Sequence, residues 1–110
     1  MTAGQRRRLC AAADVSEDAI IRIGTVEGLE QPVAVARSDN EYFCVDDICT
    51  HQDAALSDGW VEDGCVECPL HESRFDLRTG KPDVPPARER LATHPVTVED
   101  SVVYLLGHLS

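Results

Sequence analysis

Hydrophobic residues occur along this chain in short runs that are separated by turn residues, a pattern typical of antiparallel β-structure. No segment has the three-to-four-residue apolar spacing of a convincing amphipathic helix. The predicted strands are 8–13, Ala19–Ile23, Pro32–Arg37, Glu41–Val45, Trp60–Glu62, Cys65–Glu67, Ser73–Leu77, Thr93–Glu99 and Val102–Leu106. The pattern predicts an all-β fold, either an antiparallel β-sandwich or a small barrel.

Turn signals define how these strands are connected. Asp63-Gly64 is a strong two-residue hairpin signal, and hairpin turns are also predicted at 38–41 and at Asp100-Ser101. The segment Lys81–Arg90 contains Pro82, Pro85 and Pro86, so we expect an irregular loop there.

Length and charge limit the possible functions. The 110 residues are predicted to form one domain, 1–110. Twenty acidic and ten basic side chains give a net charge of −10, which argues against nucleic acid and anionic membranes as partners. The same charge favours a partner with a basic docking patch, or only keeps the domain soluble. No apolar stretch approaches the roughly 20 residues of a membrane span.

The cysteine count points to a reducing compartment. Five cysteines cannot all pair, and Cys/His clusters in cytosolic proteins more often bind metal than form disulfides. Arg6-Arg7-Arg8 precedes an apolar run that ends at Asp14, too short for a secretory signal of roughly 7–15 apolar residues. We therefore predict a cytoplasmic protein.

Two short cassettes carry the candidate chemistry. Each supplies one thiolate and one imidazole: Cys49-Thr50-His51, and then Cys68-Pro69-Leu70-His71. Two Cys and two His can hold a [2Fe-2S] cluster, with cysteines on one iron and histidines on the other. They are also a ligand set of structural zinc, but zinc sites normally group Cys with Cys and His with His. The mixed order favours the iron–sulfur alternative.

The cassettes, followed by Ser73-Arg74-Phe75-Asp76 and Thr79-Gly80, resemble Rieske-type [2Fe-2S] proteins. The resemblance is strongest to the soluble ferredoxins of multicomponent bacterial aromatic-ring dioxygenases. It implies a Rieske-type fold with a cluster-binding subdomain, about 47–87, made of two loops plus the proline loop 84–87. It also implies that the inner iron is held by Cys49 and Cys68, and that the outer iron, near the surface, is held by His51 and His71.

This chain differs from membrane-complex Rieske proteins around the cluster. The positions of their loop disulfide correspond to Ala54 and Leu70, and Phe75 stands where they have a tyrosine. The resemblance places Ser73 where its hydroxyl donates to a bridging sulfide, which raises the potential. We predict a potential in the lower half of the roughly −150 to +300 mV range, and a lower potential for Ser73→Ala.

The resemblance implies a monomeric electron carrier rather than an enzyme. Such a ferredoxin carries single electrons from a flavin-dependent reductase, fed by NAD(P)H, to a terminal Rieske oxygenase. That oxygenase binds a mononuclear iron with two histidines and a carboxylate. After the four cluster ligands only His94 and His108 remain, and neither has a partner at ligand spacing, so the chain is not predicted to be the oxygenase. The alternatives are the small subunit of an assimilatory nitrite reductase and a structural zinc domain.

The remaining notable residues are interpreted as structural. Cys10, Cys44 and Cys65 are expected to be apolar fillers in strands. His94 is expected at the surface, and Asp46-Asp47 in a solvated turn. Trp60 and Phe75 are predicted to pack beside the cassettes and exclude water from the cluster.

Overall fold

A computed structural model describes residues 6–49, 54–69, 74–82 and 89–106. Its ten strands are β1 (Arg6–Ala11), β2 (Ala19–Gly24), β3 (Val33–Ser38), β4 (Glu41–Asp46), β5 (Trp60–Glu62), β6 (Cys65–Glu67), β7 (Arg74–Asp76), β8 (Thr93–His94), β9 (Val96–Glu99) and β10 (Val102–Leu106). Within these described ranges the helical elements are the 3₁₀ turns Ala12–Asp14 and Leu56–Asp58. The predicted all-β fold is confirmed.

The strands form three antiparallel sheets. Two of them, with strand orders β1-β10-β9 and β2-β3-β4-β8, are called here the body sheets. The third, with order β5-β6-β7, is called the small sheet because each of its strands has three residues. In the sequence, the small sheet is inserted between β4 and β8. One chain segment therefore leads from the body sheets into the small sheet, and a second leads back.

Three predicted hairpins form where the turn chemistry requires it. Asp63 and Gly64 have φ of 54° and 76°, the left-handed conformation that a two-residue hairpin turn needs. The turns at Asp39-Asn40 and Asp100-Ser101 also have positive φ at both central residues. These turns set the registers Glu62↔Cys65, Ser38↔Glu41 and Val102↔Glu99.

One predicted strand is wrong. The segment Thr93–Glu99 is two strands, because Pro95 interrupts it. Proline has no N–H for a sheet ladder, and here the chain changes partners at that residue. β8 pairs with β4 in one body sheet, whereas β9 pairs with β10 in the other.

Two apolar cores lie on the two faces of the sheet that contains β3 and β4. Val35 and Cys44 contribute to the core between the body sheets, together with Val103 and Leu105. Ala36 and Val45 contribute to the second core, which the small sheet covers. β3 is thus buried on both faces, and it separates the two cores.

Candidate metal centre

Both candidate cysteine ligands lie in the second core. Cys49 is 4% exposed and Cys68 is fully buried, and they share this core with the inward face of the small sheet. That inward face is formed by Val61, Val66 and Phe75. Neither cysteine is in a disulfide, as expected for thiols that bind a metal.

The backbone after the first cassette lies directly against the second cassette. A Cβ atom at Gly59 would lie 1.9 Å from the carbonyl oxygen of Glu67 and 3.2 Å from the amide nitrogen of Pro69. Only glycine permits so close an approach of two backbones. The contact holds the chain ten residues after Cys49 beside Cys68.

The bases of three loops are fixed by hydrogen bonds or strand pairing. The amide of Cys49 donates to the carbonyl of Ala54 at 2.9 Å, and this bond closes the first loop. Glu67 and Arg74 are paired across β6 and β7 on either side of the second. The amide of Leu91 donates to the carbonyl of Gly80 at 2.7 Å, which joins the two sides of the proline-containing segment.

The other site residues predicted from the sequence lie outside the described residues. These are His51, His71, Ser73 and the proline loop 84–87. Across the described parts of the chain, no group of three or more His, Cys, Asp or Glu side chains converges on one point. The two described ligands, Cys49 and Cys68, are brought into one core, whereas the placement of the histidines stays a prediction.

The expectation of a solvated turn at Asp46-Asp47 is wrong. Asp47 is 2% exposed, and its carboxylate accepts hydrogen bonds from Arg22 and Ser57. The sequence carries no local signal for these contacts, since the donors lie 25 residues before Asp47 and ten residues after it. Adjacent aspartates are typical of exposed turns, and burial is decided here by tertiary structure.

His94 also differs from its expected surface position. Its Nε2 lies 2.8 Å from Oδ1 of Asp46, and the side chains are 14% and 18% exposed, respectively. The pair joins β8 to β4 in the body. This histidine therefore has a structural partner, Asp46, which lies 48 residues before it in the sequence.

The three remaining cysteines, which were expected to fill apolar space in strands, differ in how deeply they are buried. Cys10 and Cys44 are buried in the core between the body sheets, whereas Cys65 is only half-buried on β6. Burial, followed by the nearby Asp46 carboxylate and then Cys10, raises the pKa of Cys44 to about 12. A raised pKa disfavours the thiolate form, which is the form that binds metals.

The two aromatic residues expected to exclude water differ in burial. Phe75 is fully buried in the core with Cys49 and Cys68, as predicted. Trp60 is 37% exposed at the start of β5, and its role in keeping water from the cluster stays a prediction. In the alternation along β5, Val61 takes the inward position and Trp60 the outward one.

The arrangement fits an iron–sulfur cluster. Two thiols from separate loops reach one dry core, and the sequence supplies one histidine two or three residues after each of them. Sulfur donors buried in an apolar shell suit a cluster whose sulfides must be kept from water.

Comparison with known proteins supports this interpretation. The family described as the Rieske [2Fe-2S] domain matches residues 5–95. The ferredoxin subunit of anthranilate 1,2-dioxygenase from Burkholderia cepacia is 46% identical over 74 residues, which are 67% of this chain and 68% of that protein. The predicted resemblance to ferredoxins of aromatic-ring dioxygenases is confirmed, and these relatives are named as ferredoxin subunits rather than as enzymes.

Two solved structures have the same fold. The ferredoxin of Sphingomonas yanoikuyae B1 superposes with a TM-score of 0.86 at 34% identity, covering 94% of this chain and all of that one. The ferredoxin–oxygenase complex of carbazole 1,9a-dioxygenase contains a chain that matches with a TM-score of 0.84 at 32% identity, covering 96% of this chain and 95% of that one. The family match spans most of the sequence and includes both cassettes, and this chain belongs to the Rieske [2Fe-2S] domain family.

Proposed function

We propose that this protein is a Rieske ferredoxin that carries single electrons from an NAD(P)H-dependent flavin reductase to a terminal ring-hydroxylating oxygenase. The observation that carries the proposal is that Cys49 and Cys68, from two separate loops, both lie in one buried core. When bound there, a [2Fe-2S] cluster supplies one-electron redox chemistry.

In this proposal four residues hold one cluster. Cys49 and Cys68 bind the inner iron, and His51 and His71 bind the outer iron. The apolar side chains around the cysteines exclude water from that side of the site. Residues 1–110 act as one domain, in which about 47–87 form the cluster-binding part.

Partner recognition is proposed from charge and from the relatives. A net charge of −10 suits an oxygenase and a reductase with basic docking surfaces, and electrostatic steering speeds such encounters. The ferredoxin–oxygenase complex of carbazole 1,9a-dioxygenase supports the choice of an oxygenase as electron acceptor. We propose a monomer that works in the cytoplasm, where its thiols stay reduced. Within the described residues, no helix has the length and apolar character to span a bilayer.

The first experiment identifies the metal. The purified protein should be red-brown, contain about two irons per chain, and give a reduced-state EPR signal with the average g value of mixed Cys/His clusters. A colourless protein with stoichiometric zinc would refute the proposal.

The second experiment tests electron transfer. NADH should reduce the cluster rapidly when a separate flavin-dependent ferredoxin reductase is present, and a terminal Rieske oxygenase with its aromatic substrate should reoxidise it. Stable copurification with a large sirohaem subunit, without reduction by that reductase, would instead identify the small subunit of a nitrite reductase. Sedimentation of the purified protein checks the monomeric state.

A further inference from the structure

A buried carboxylate lies at the base of the first cassette. Asp47 precedes Cys49 by two residues, and its side chain has no exposed surface. Taking an ionised carboxylate out of water is costly unless hydrogen bonds and opposite charge compensate for it.

Three donors converge on the Asp47 carboxylate from two parts of the fold. Oδ1 accepts from the backbone amide of Ser57 at 2.6 Å, and Oδ2 accepts from the Ser57 hydroxyl at 2.6 Å. Oδ2 also accepts from the Arg22 guanidinium at 2.9 Å. Arg22 lies on β2 of the body, whereas Ser57 lies in the 3₁₀ turn Leu56–Asp58.

These hydrogen bonds close the base of the loop that contains the first cassette. Asp47 and Ser57 are the two ends of the segment that contains Cys49 and the predicted ligand His51. Within this segment, the Cys49 amide donates a hydrogen bond to the Ala54 carbonyl at 2.9 Å. The backbone amide of Asp47 donates to the carbonyl of Pro32 at 2.8 Å, which ties the same point to the body. The first loop is therefore closed at its base and anchored to β2 and to the residue before β3.

We propose that Asp47 is a positioning residue for the cluster. Asp47, Ser57 and Arg22, called here the Asp47 latch, hold the first loop in the conformation that keeps Cys49 and His51 on their irons. The buried carboxylate also places negative charge next to the ligand loop, which disfavours the reduced cluster. This inference rests on the proposed function, because it assumes a cluster bound by the two cassettes.

The test compares four variants in the cluster-loaded protein. Asp47→Asn keeps the shape of the side chain but directs an NH₂ group at donors, Ser57→Ala removes one hydroxyl donor, and Arg22→Gln removes the cation. The matched control is Asp58→Asn, which removes the same charge from an exposed residue adjacent to Ser57. The readouts are the half-life of the visible cluster spectrum in the presence of a ferrous chelator, and the midpoint potential.

Loss of groups that orient metal ligands typically weakens metal binding by about 10- to 100-fold. We expect cluster loss to be about tenfold faster or more in Asp47→Asn, and several-fold faster in Ser57→Ala and Arg22→Gln. Asp58→Asn should lose its cluster at the wild-type rate. The potential should rise in Asp47→Asn by more than in Asp58→Asn, a shift that loss of general stability does not produce.

Equal half-lives in Asp47→Asn and Asp58→Asn would overturn the proposal, as would an unchanged potential in Asp47→Asn. If Asp47→Asn does not fold, Ser57→Ala and Arg22→Gln decide the question, and wild-type half-lives in both would overturn it. Hydrogen exchange of the Cys49 and Ser57 amides, which should be faster in Ser57→Ala, gives a readout independent of electron transfer. A wild-type protein that holds its cluster but fails to accept electrons would refute the proposed function. The cluster half-lives of the variants would still test the role of the Asp47 latch.

Discussion

The two apolar cores of this protein are closed in different ways. The core between the body sheets is formed by strands of four to six residues together with the segment that contains Val15. The second core is covered by a sheet of three-residue strands and includes two thiols from ligand loops. A sheet this small is marginal by itself and needs other elements to pack against.

The difference indicates that apolar burial is enough to stabilise the two body sheets. The small sheet, in contrast, depends on packing against the body sheets and on the loops at its ends. Leu56, Leu77 and Leu91 reach the second core from segments outside the strands. Because metal binding couples to folding, a cluster held by Cys49 and Cys68 would stabilise this part of the molecule most. The following predictions test that contrast, beginning with the largest effect.

Replacing a buried cysteine in each core should have opposite consequences for the cluster. Cys68→Ala removes a proposed ligand from the second core, so the variant should contain no cluster and show neither the visible spectrum nor the reduced EPR signal. Cys10→Ala removes a thiol of the same size from the body core, where Cys10 is 5% exposed, and should keep both signals. Iron analysis and EPR of the two variants check this, and a Rieske signal in Cys68→Ala would contradict the ligand assignment.

A matched pair of valines separates packing from cluster retention. Val66 and Val103 are both fully buried, in the second core and in the body core respectively. Each change to alanine should lower the free energy of unfolding by about 2 kcal/mol, from lost burial plus the cavity that remains. Only Val66→Ala should also release the cluster faster to a ferrous chelator. Equal release rates in both variants would mean that the cluster responds to overall stability and not to its own core.

The buried Cys44 thiol predicts how the body responds to alkaline pH. Its pKa is raised from 9.0 to about 12, chiefly by burial. The unfolded chain therefore releases this proton at a lower pH than the folded protein does. The contribution of Cys44 to stability is complete below pH 9 and is lost as the pH rises from 9 to about 12. At pH 10, one unit above the unfolded pKa, the loss is about 1 kcal/mol.

Cys44→Ala should remove this part of the pH dependence. Urea unfolding at pH 8 and pH 10 measures it, as the difference between wild type and variant. The matched change Val103→Ala alters the same core without removing a titrating group, so it should leave the wild-type pH dependence intact. Identical alkaline destabilisation in wild type and Cys44→Ala would show that the Cys44 thiol does not stay protonated in the folded state.

Features set by neighbouring residues were predicted correctly from the sequence. The hairpin turns at Asp63-Gly64 and Asp100-Ser101 follow from the backbone conformations that these residues tolerate. The cassettes indicated the correct family because metal chemistry restricts both ligand type and spacing, while the assignment of their four ligands stays a prediction. The bounds of β3, β4, β5 and β6 agree with the predicted strands to within one residue at each end.

Features that depend on distant partners were not predicted. Asp47 is buried because Arg22 and Ser57 reach it, and His94 is half-buried because it pairs with Asp46. The break at Pro95 was missed because a single alternating pattern covers residues that belong to two sheets. For Asp47 and His94 the decisive interaction joins parts of the chain that are remote in sequence, so no local pattern indicates it. Pro95, in contrast, is a local signal against one continuous strand.

The smallest predicted effect concerns Ser73, whose place beside a bridging sulfide is implied by the family resemblance. A hydroxyl that donates to this sulfur stabilises the reduced cluster, which carries the more negative charge. A hydrogen bond that differs by about 1 kcal/mol between the two redox states corresponds to about 40 mV for a one-electron couple. We expect Ser73→Ala to lower the midpoint potential by about that amount while leaving the iron content unchanged.

Spectroelectrochemistry of wild type, Ser73→Ala and Ser57→Ala distinguishes a bond to the cluster from a bond that holds its loop. Ser57→Ala removes a hydroxyl that donates to Asp47. It should therefore shorten the lifetime of the cluster and leave the midpoint potential close to the wild-type value. Ser73→Ala should lower the potential and leave the cluster lifetime near the wild-type value, because it would remove the proposed donor to sulfur without changing the contacts of Asp47. A midpoint potential that is the same in Ser73→Ala as in wild type would mean that the Ser73 hydroxyl makes no redox-dependent bond to the cluster.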